Sequence, residues 1–367
     1  MTVLMTADTV GGVLTYAIDL VRALGPHGVR VALATMGGPV PEAQRGALAA
    51  LPHVTLYESD YRLEWMDAPW ADVAAAGDWL LGVRDEVRPD VVHLNGYAHG
   101  ALDWQAPVLM VGHSCVCSWW QAVHGEPAPP TWDRYRAAVQ DGLRAADAVA
   151  APTRAMLDAL ETHYGPLPPA TLVPNGRDGR RYGPAKKKTP VVLAAGRVWD
   201  QAKGIDRLAD VAPGLGWPVR IAGDAAHPDG GTAQFDNVEM LGTLTPPALA
   251  AEMARAAVYA LPARYEPFGL SVLEAALSGC ALVLGDIPSL REVWGDAALY
   301  ADTDAALAEA LAQVTTDDAL RSDLAARATA RAASYTTERL AAGTLGLYRQ
   351  LLVKPSRSSR AAPALAR

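Results

Sequence analysis

The sequence predicts an α/β protein built from two doubly wound parallel sheets that face each other across a cleft. Three observations predict it. The chain's 367 residues exceed what one hydrophobic core usually serves. Short apolar runs alternate with helical stretches along both halves. The alternation pauses once, where Pro174-Asn175-Gly176 and the stretch 183–190 gather turn formers and lysines.

In the first half, residues 3–6, 29–34, 54–57, 91–94, 108–111, 148–151 and 171–173 read as strands, with helical spacing over 13–24, 71–87 and 131–145 between them. Strands that are apolar on both faces and separated by helices belong to a parallel sheet with both faces covered. After the pause, 191–195, 219–222, 238–241, 258–261, 281–284 and 299–301 repeat the pattern. Three Ala-rich helical stretches follow at 304–314, 317–333 and 337–352. The expected division is 1–183, joined by the helix 337–352, and 184–336. The tail 354–367 has too little apolar surface to order itself and is expected to be disordered.

Half the residues are apolar and a fifth are charged, the balance of a soluble globular protein. A formal charge of −8 argues against a polyanion-binding surface, so nucleic acid is excluded as a partner. Cys115, Cys117 and Cys280 are too few for a disulfide framework, which points to a reducing compartment, the cytoplasm. No apolar run reaches the length of a membrane span and no signal core opens the chain, while peripheral membrane contact stays compatible.

In open parallel sheets ligands bind beyond the C-terminal strand ends. The segment Tyr265-Glu266-Pro267-Phe268-Gly269-Leu270-Ser271-Val272-Leu273-Glu274 follows one such strand and opens a helix. The first amides of a helix lack internal partners and make an anion seat. Glu274 can grip a vicinal diol such as a ribose, and Glu266 can meet the hydroxyls of a sugar. Gly196-Arg197 and Lys203-Gly204 follow the first strand of the same half and bring two cations that can neutralise a diphosphate without a metal. In the first half, Gly11 and Gly12 let backbone approach a phosphate or sugar, and they do not form a dinucleotide fingerprint. His113 follows the strand 108–111 and can orient a sugar hydroxyl.

These pieces together resemble the retaining nucleotide-sugar glycosyltransferases of family 4, whose two-sheet architecture is called GT-B. The resemblance runs from about Met1 to Leu352, and its most specific part is Glu266 and Glu274 bracketing Pro-Phe-Gly-Leu, with Gly-Arg-x5-Lys-Gly at 196–204, the Gly11-Gly12 loop and the Pro174-Asn175-Gly176 turn. It implies that Arg197 and Lys203 hold the donor diphosphate and Glu274 the ribose. Glu266, with the amides of Phe268, Gly269 and Leu270, is implied to hold the sugar and phosphates. It also implies that His113 sits by the transferred sugar, that Gly223 and the region from Met240 to Gly242 flank the base, and that the last helix crosses back onto the first domain. The implied partners are a nucleoside-diphosphate sugar and a glycan, lipid-linked or small-molecule acceptor, with no cofactor and no metal. The implied chemistry retains anomeric configuration through a front-face attack. Arg177 stands where an aliphatic residue is frequent in the family, and Pro267 where Gly is common.

Plainer readings compete at several positions. Ser289 to Glu292 has the spacing of a capping box for its own helix. Lys186 to Lys188 read as a solvated linker, and His93, Asn95 and Tyr97 as packing residues that can touch an acceptor. His113, Cys115 and Cys117 alternate, yet a zinc site wants a fourth ligand that is not evident. An epimerase or an inactive nucleotide-sugar binding module on the same architecture shares every motif named here.

Overall fold

The computed structural model describes residues 1–226 and 231–353. The tail 354–367 lies outside them. The first sheet carries β1 (Thr2–Asp8), β2 (Arg30–Met36), β3 (Val54–Glu58), β4 (Val91–Leu94), β5 (Val108–Val111), β6 (Ala148–Ala151) and β7 (Ala170–Leu172). Their order is β3-β2-β1-β4-β5-β6-β7, and every pair is parallel. Its helices are α1 (Gly12–Leu24), α2 (Glu42–Ala49), α3 (Trp70–Val87), α4 (Val116–His124), α5 (Asp133–Ala145) and α6 (Arg154–Tyr164).

The second sheet carries β8 (Thr189–Ala195), β9 (Val219–Ala222), β10 (Glu239–Gly242), β11 (Ala256–Leu261), β12 (Ala281–Gly285) and β13 (Ala298–Ala301). Its order is β10-β9-β8-β11-β12-β13, again parallel throughout. The helices around it are α7 (Ile205–Val211), α8 (Pro246–Arg255), α9 (Leu270–Leu277), α10 (Pro288–Trp294), α11 (Asp304–Thr316) and α12 (Asp318–Ala332), and α13 (Thr337–Val353) follows them. All thirteen apolar runs therefore fold as strands of two doubly wound sheets. The central ones, β4, β5, β6, β11 and β12, are buried at every residue, which is why they read as continuous apolar runs and not as alternating ones.

The last helix crosses back, as the fold class requires. α13 lies on α1 and places Leu340, Leu345, Tyr348 and Leu351 in one cluster with Val3 and Met5 of β1 and Leu14 and Leu20 of α1. Each such leucine contributes roughly 1.5–3 kcal/mol relative to leaving it in water. The chain passes between the sheets twice, and the passages touch: Arg177 pairs with Thr336, and its amide donates to the Tyr335 carbonyl at 3.0 Å.

Two expectations of local structure are corrected. Lys188 is no solvated linker: it is partly buried, and its ammonium donates to the carbonyls of Met253 (3.2 Å), Ala256 (2.9 Å) and Ser278 (2.6 Å). Glu292 does not cap its own helix, because α10 starts at Pro288 and already contains Ser289. Its carboxylate instead accepts the amides of Arg154 (2.7 Å) and Ala155 (3.0 Å), the first residues of α6 on the other sheet.

Candidate active site

Strand order reverses between β1 and β4 in the first sheet and between β8 and β11 in the second. At such a reversal the connections leave in opposite directions and open a crevice beyond the strand ends. The two crevices face each other and form one cavity of about 1220 Å³. Asp8, Gly11, Gly12, Asn95 and His113 line it from the first sheet, and Gly196, Arg197, Lys203, Gly223, Glu266, Phe268, Gly269, Leu270 and Glu274 from the second.

On the second-sheet side the charges are already matched. Arg197 donates to Asp200 at 2.8 Å, and Lys203 donates to Glu266 at 2.7 Å. The other Glu266 oxygen accepts the amides of Gly269 (2.9 Å) and Phe268 (3.4 Å). Two of the three amides read as an open anion seat are thus occupied by the protein's own carboxylate. Burial pushes the Glu266 carboxyl upward, but the Lys203 cation and the two amides outweigh it and hold the group below the usual range. Asp200 follows the same logic: burial raises it, and Lys203, Arg197 and the Trp119 indole bring it down.

Glu274 sits one turn into α9 and is buried. It accepts from Arg177 at 2.7 Å, and Arg177 in turn pairs with the buried Asp19. The guanidinium also donates to the Tyr182 hydroxyl at 3.1 Å. Arg177, seen in the sequence only as a departure, is therefore the cation between two buried acids, one from each sheet's side. Burial raises the Glu274 carboxyl, and Arg177 reverses only part of that rise.

Two glycines are required here. Gly11 has φ +98°, and a Cβ there would stand 3.1 Å from an Arg197 nitrogen on the opposite wall. Gly223 has φ +151°, and a Cβ would overlap the Gly196 carbonyl at 1.7 Å. Met240 does not line the cavity: it is a strand residue whose side chain packs on the core with Ile221 and Val258. Thr243 and Leu244, just past the strand, are the lining positions.

On the first-sheet side Asn95, His113, His93 and Tyr348 form a neutral hydrogen-bonded chain. The Asn95 amide nitrogen donates to the Thr6 carbonyl at 2.7 Å, which fixes the orientation of the amide. Its oxygen then faces His113 Nε2 (2.8 Å) and His93 Nε2 (3.2 Å), so both ring nitrogens carry the proton. His93 Nδ1 must accept, and the Tyr348 hydroxyl of α13 donates to it at 2.6 Å. His113 is left with Nδ1 as an acceptor, in a ring that stands edge-on to Tyr16 with centroids 4.5 Å apart. Burial drives both rings toward the neutral form, lowering His93 to about 4 and His113, with help from His93, to about 3. Burial also pushes the Asp8 carboxyl up to about 7, with Arg197 opposing.

Reasoning from sequence missed Asp8, Arg177 and Tyr265. Asp8 carried a signal, a lone carboxylate ending an apolar strand at a reversal of strand order. Tyr265 lies across the gap, where its hydroxyl meets the Ser118 hydroxyl (2.8 Å) and accepts the Cys115 amide (3.2 Å). Cys115 itself caps α4 by accepting the Ser118 amide at 3.4 Å. Among the described residues no three His, Cys, Asp or Glu side chains gather as a metal site. No described helix is long and apolar enough to cross a membrane.

Comparison with known proteins adds three kinds of finding. Residues 10–181 match the model described as Glycosyltransferase Family 4, and residues 189–317 the one described as Glycosyl transferases group 1. A glycogen synthase of Mycobacterium tuberculosis is 29% identical over 272 residues, which is 67% of this chain and 64% of that protein. The chain thus spans less than two thirds of that relative. Among solved structures, the sucrose-phosphate synthase of Thermosynechococcus elongatus superposes with a TM-score of 0.78 at 18% identity, over 96% of this chain and 99% of that one. Anabaena Alr3699/HepE in complex with UDP-glucose gives 0.74 at 17%, over 95% and 100%. Those two similarities establish the GT-B fold.

Proposed function

We propose, for a chain that belongs to the family 4 and group 1 glycosyltransferases, that it moves a sugar from a nucleoside-diphosphate sugar to an acceptor hydroxyl with retention at the anomeric carbon and without a metal. The observation that carries this is the meeting of Arg197, Lys203, Glu266 and the start of α9 in one cavity between two strand-order reversals. Arg197 and Lys203, by trading Asp200 and Glu266 in part for the ligand, can hold a diphosphate and stabilise it as it leaves. The donor therefore belongs against the second sheet and the acceptor against the first.

In the proposed reaction the acceptor oxygen forms its bond to the anomeric carbon on the face from which the diphosphate departs. The carbon–oxygen bond to phosphate breaks with its electron pair going to the phosphate oxygen, and the acceptor's proton passes to that oxygen. Arg197 and Lys203 exchange part of their pairing with Asp200 and Glu266 for the phosphate. Glu274, anchored through Arg177, takes the ribose diol. His113 receives a hydrogen bond from a sugar hydroxyl at Nδ1, since its other nitrogen is committed to Asn95. The protein's contribution is position and charge. Its three buried free thiols fit the reducing cytoplasm as its workplace.

The UDP-glucose complex of the Anabaena protein makes UDP-glucose the first donor to try. A thermal-shift screen of nucleoside diphosphates identifies the base, since a ligand that binds only the folded state raises the melting point. NMR of the product then reads the anomeric configuration in chelator-treated buffer. An inverted product, or a strict need for added metal, refutes the corresponding part of the proposal. Donor incubated alone that changes its sugar stereochemistry would make the protein an epimerase instead.

A further inference from the structure

The first-sheet wall of the cavity is aromatic. Trp65 and Trp70 come from the segment joining β3 to α3 and its first helical residue, Trp119 and Trp120 from α4, and Trp132 from the turn ahead of α5. The chain has ten tryptophans, so half of them stand on this one wall. All five are partly buried, and Trp65, Trp70, Trp120 and Trp132 pack against the first-sheet core, whereas Trp104 and Trp294 are fully enclosed. Further contacts hold three of them in place. The Arg134 guanidinium lies 4.7 Å over the Trp70 ring and ties the two segments together. Trp119 donates to Asp200 at 3.0 Å, and Trp120 lies tilted by 44° against His124 with centroids 4.5 Å apart.

The charges beside this wall are mixed, the acids Asp8, Asp19, Glu64 and Asp67 standing with Arg22, Arg62, Arg177 and Arg181. The Arg62 guanidinium donates to the Asp67 carbonyl at 2.7 Å. The nearby Arg22 and Arg181 lie 3.6 and 3.7 Å from Asp19. Glu64 accepts the amides of Tyr97 (3.1 Å) and Ala98 (2.6 Å). Asp8 differs, because its Oδ1 is buried without a hydrogen-bond partner, a deficit that a hydroxyl donor relieves.

We infer that the acceptor is a hydroxyl compound with a rigid ring body, which packs on the tryptophan wall and turns a hydroxyl toward Asp8. Fixed indole faces favour a flat partner, whose stacking adds to its area burial, and they lose little entropy in binding it. An alkyl chain gains the burial without the stacking. The inference rests on the sugar-transfer reading, and it narrows that reading's acceptor.

The test uses the full chain saturated with the nucleoside diphosphate found by thermal shift, and calorimetry with three probes: phenyl glucoside, butyl glucoside and glucose. The expected order is phenyl glucoside at least tenfold tighter than glucose, with butyl glucoside between them. Trp65→Ala should erase the phenyl preference and Trp65→Phe should keep most of it, with nucleotide affinity unchanged in both as proof of folding. A phenyl preference that survives Trp65→Ala overturns the inference, as does butyl glucoside equalling phenyl glucoside, which would make the body a lipid chain. Failure to bind any nucleoside diphosphate defeats the sugar-transfer reading itself and this inference with it.

Discussion

The two halves are the same construction used for opposite chemistry. Around the second sheet's reversal point, the cavity surface is made of ions paired with ions: Arg197 with Asp200, and Lys203 with Glu266. Around the first sheet's reversal point it carries Asp8, Glu64, Asn95 and His113, the last two backed by the buried neutral rings of His93 and Tyr348, with tryptophans beyond. Each ion pair is poised to trade one partner for a charged ligand, whereas the histidine chain has every proton assigned and holds its shape. The difference teaches that a doubly wound sheet specifies where a site lies, while the residues just past the strand ends decide what it accepts.

The contrast can be broken in order of expected effect. Among the described residues Arg177 is the only side-chain cation within hydrogen-bonding reach of both Asp19 and Glu274, and Arg177→Met leaves two buried carboxylates facing each other. Chemical denaturation should show a loss of about 3–5 kcal/mol, and a loss under 1 kcal/mol would mean the three groups are not energetically coupled. Lys203→Ala acts on the second sheet's charges, where removing one stabilising group at a reacting centre costs roughly 10²- to 10³-fold in turnover. Wild-type turnover in that variant would put the chemistry elsewhere.

The histidine chain sharpens the contrast through pH. Both rings have folded-state pKa values below the unfolded 6.5, so unfolding takes up protons in acid. Their contribution is present above about 6.5 and is lost as the pH falls toward 4, by as much as about 1.4 kcal/mol per pH unit for each ring. Asp8 acts in the opposite sense, since its raised pKa favours the folded state most below 3.8 and the advantage disappears as the pH rises through about 7. Hydrogen exchange at pH 7 and pH 5 should therefore show β4 and β5 losing protection before β11 and β12. Equal loss in the two sheets would count against the assigned protonation states. Tyr348→Phe leaves His93 Nδ1 buried without a donor and should cost about 1–3 kcal/mol, with imidazole ¹⁵N shifts reporting whether His113 keeps its proton on Nε2.

The smallest effect belongs to Glu292→Ala. Loss of the two accepted amides at the start of α6 should cost about 0.5–2 kcal/mol, the range for helix caps. Because this cap spans the two halves, small-angle scattering in the absence of nucleotide should show a more open molecule. An unchanged profile would make the contact passive.

The fold was readable because its signal is local. Each buried strand announces itself as a short apolar run, and the single pause at Pro174-Asn175-Gly176 marks where the chain crosses over. Arg197, Lys203, Glu266 and Glu274 were readable as a group because all four follow strands of one sheet. What stayed hidden depends on partners distant in sequence. Glu292 has the spacing of a cap for its own helix and serves another 137 residues away. Arg177 meets its acids only once the crossing is formed, and the tryptophan wall is assembled from three segments without periodicity.

The return of α13 to the first sheet has a consequence for biosynthesis. The groove over α1 can be filled only when the final described helix has left the ribosome, although every strand beneath it was made long before. Until then Leu14, Leu20 and the upper face of β1 remain without Leu345, Tyr348 and Leu351. A nascent first half is thus an incomplete core exposed to solvent, and the half made second is the one that can finish folding first.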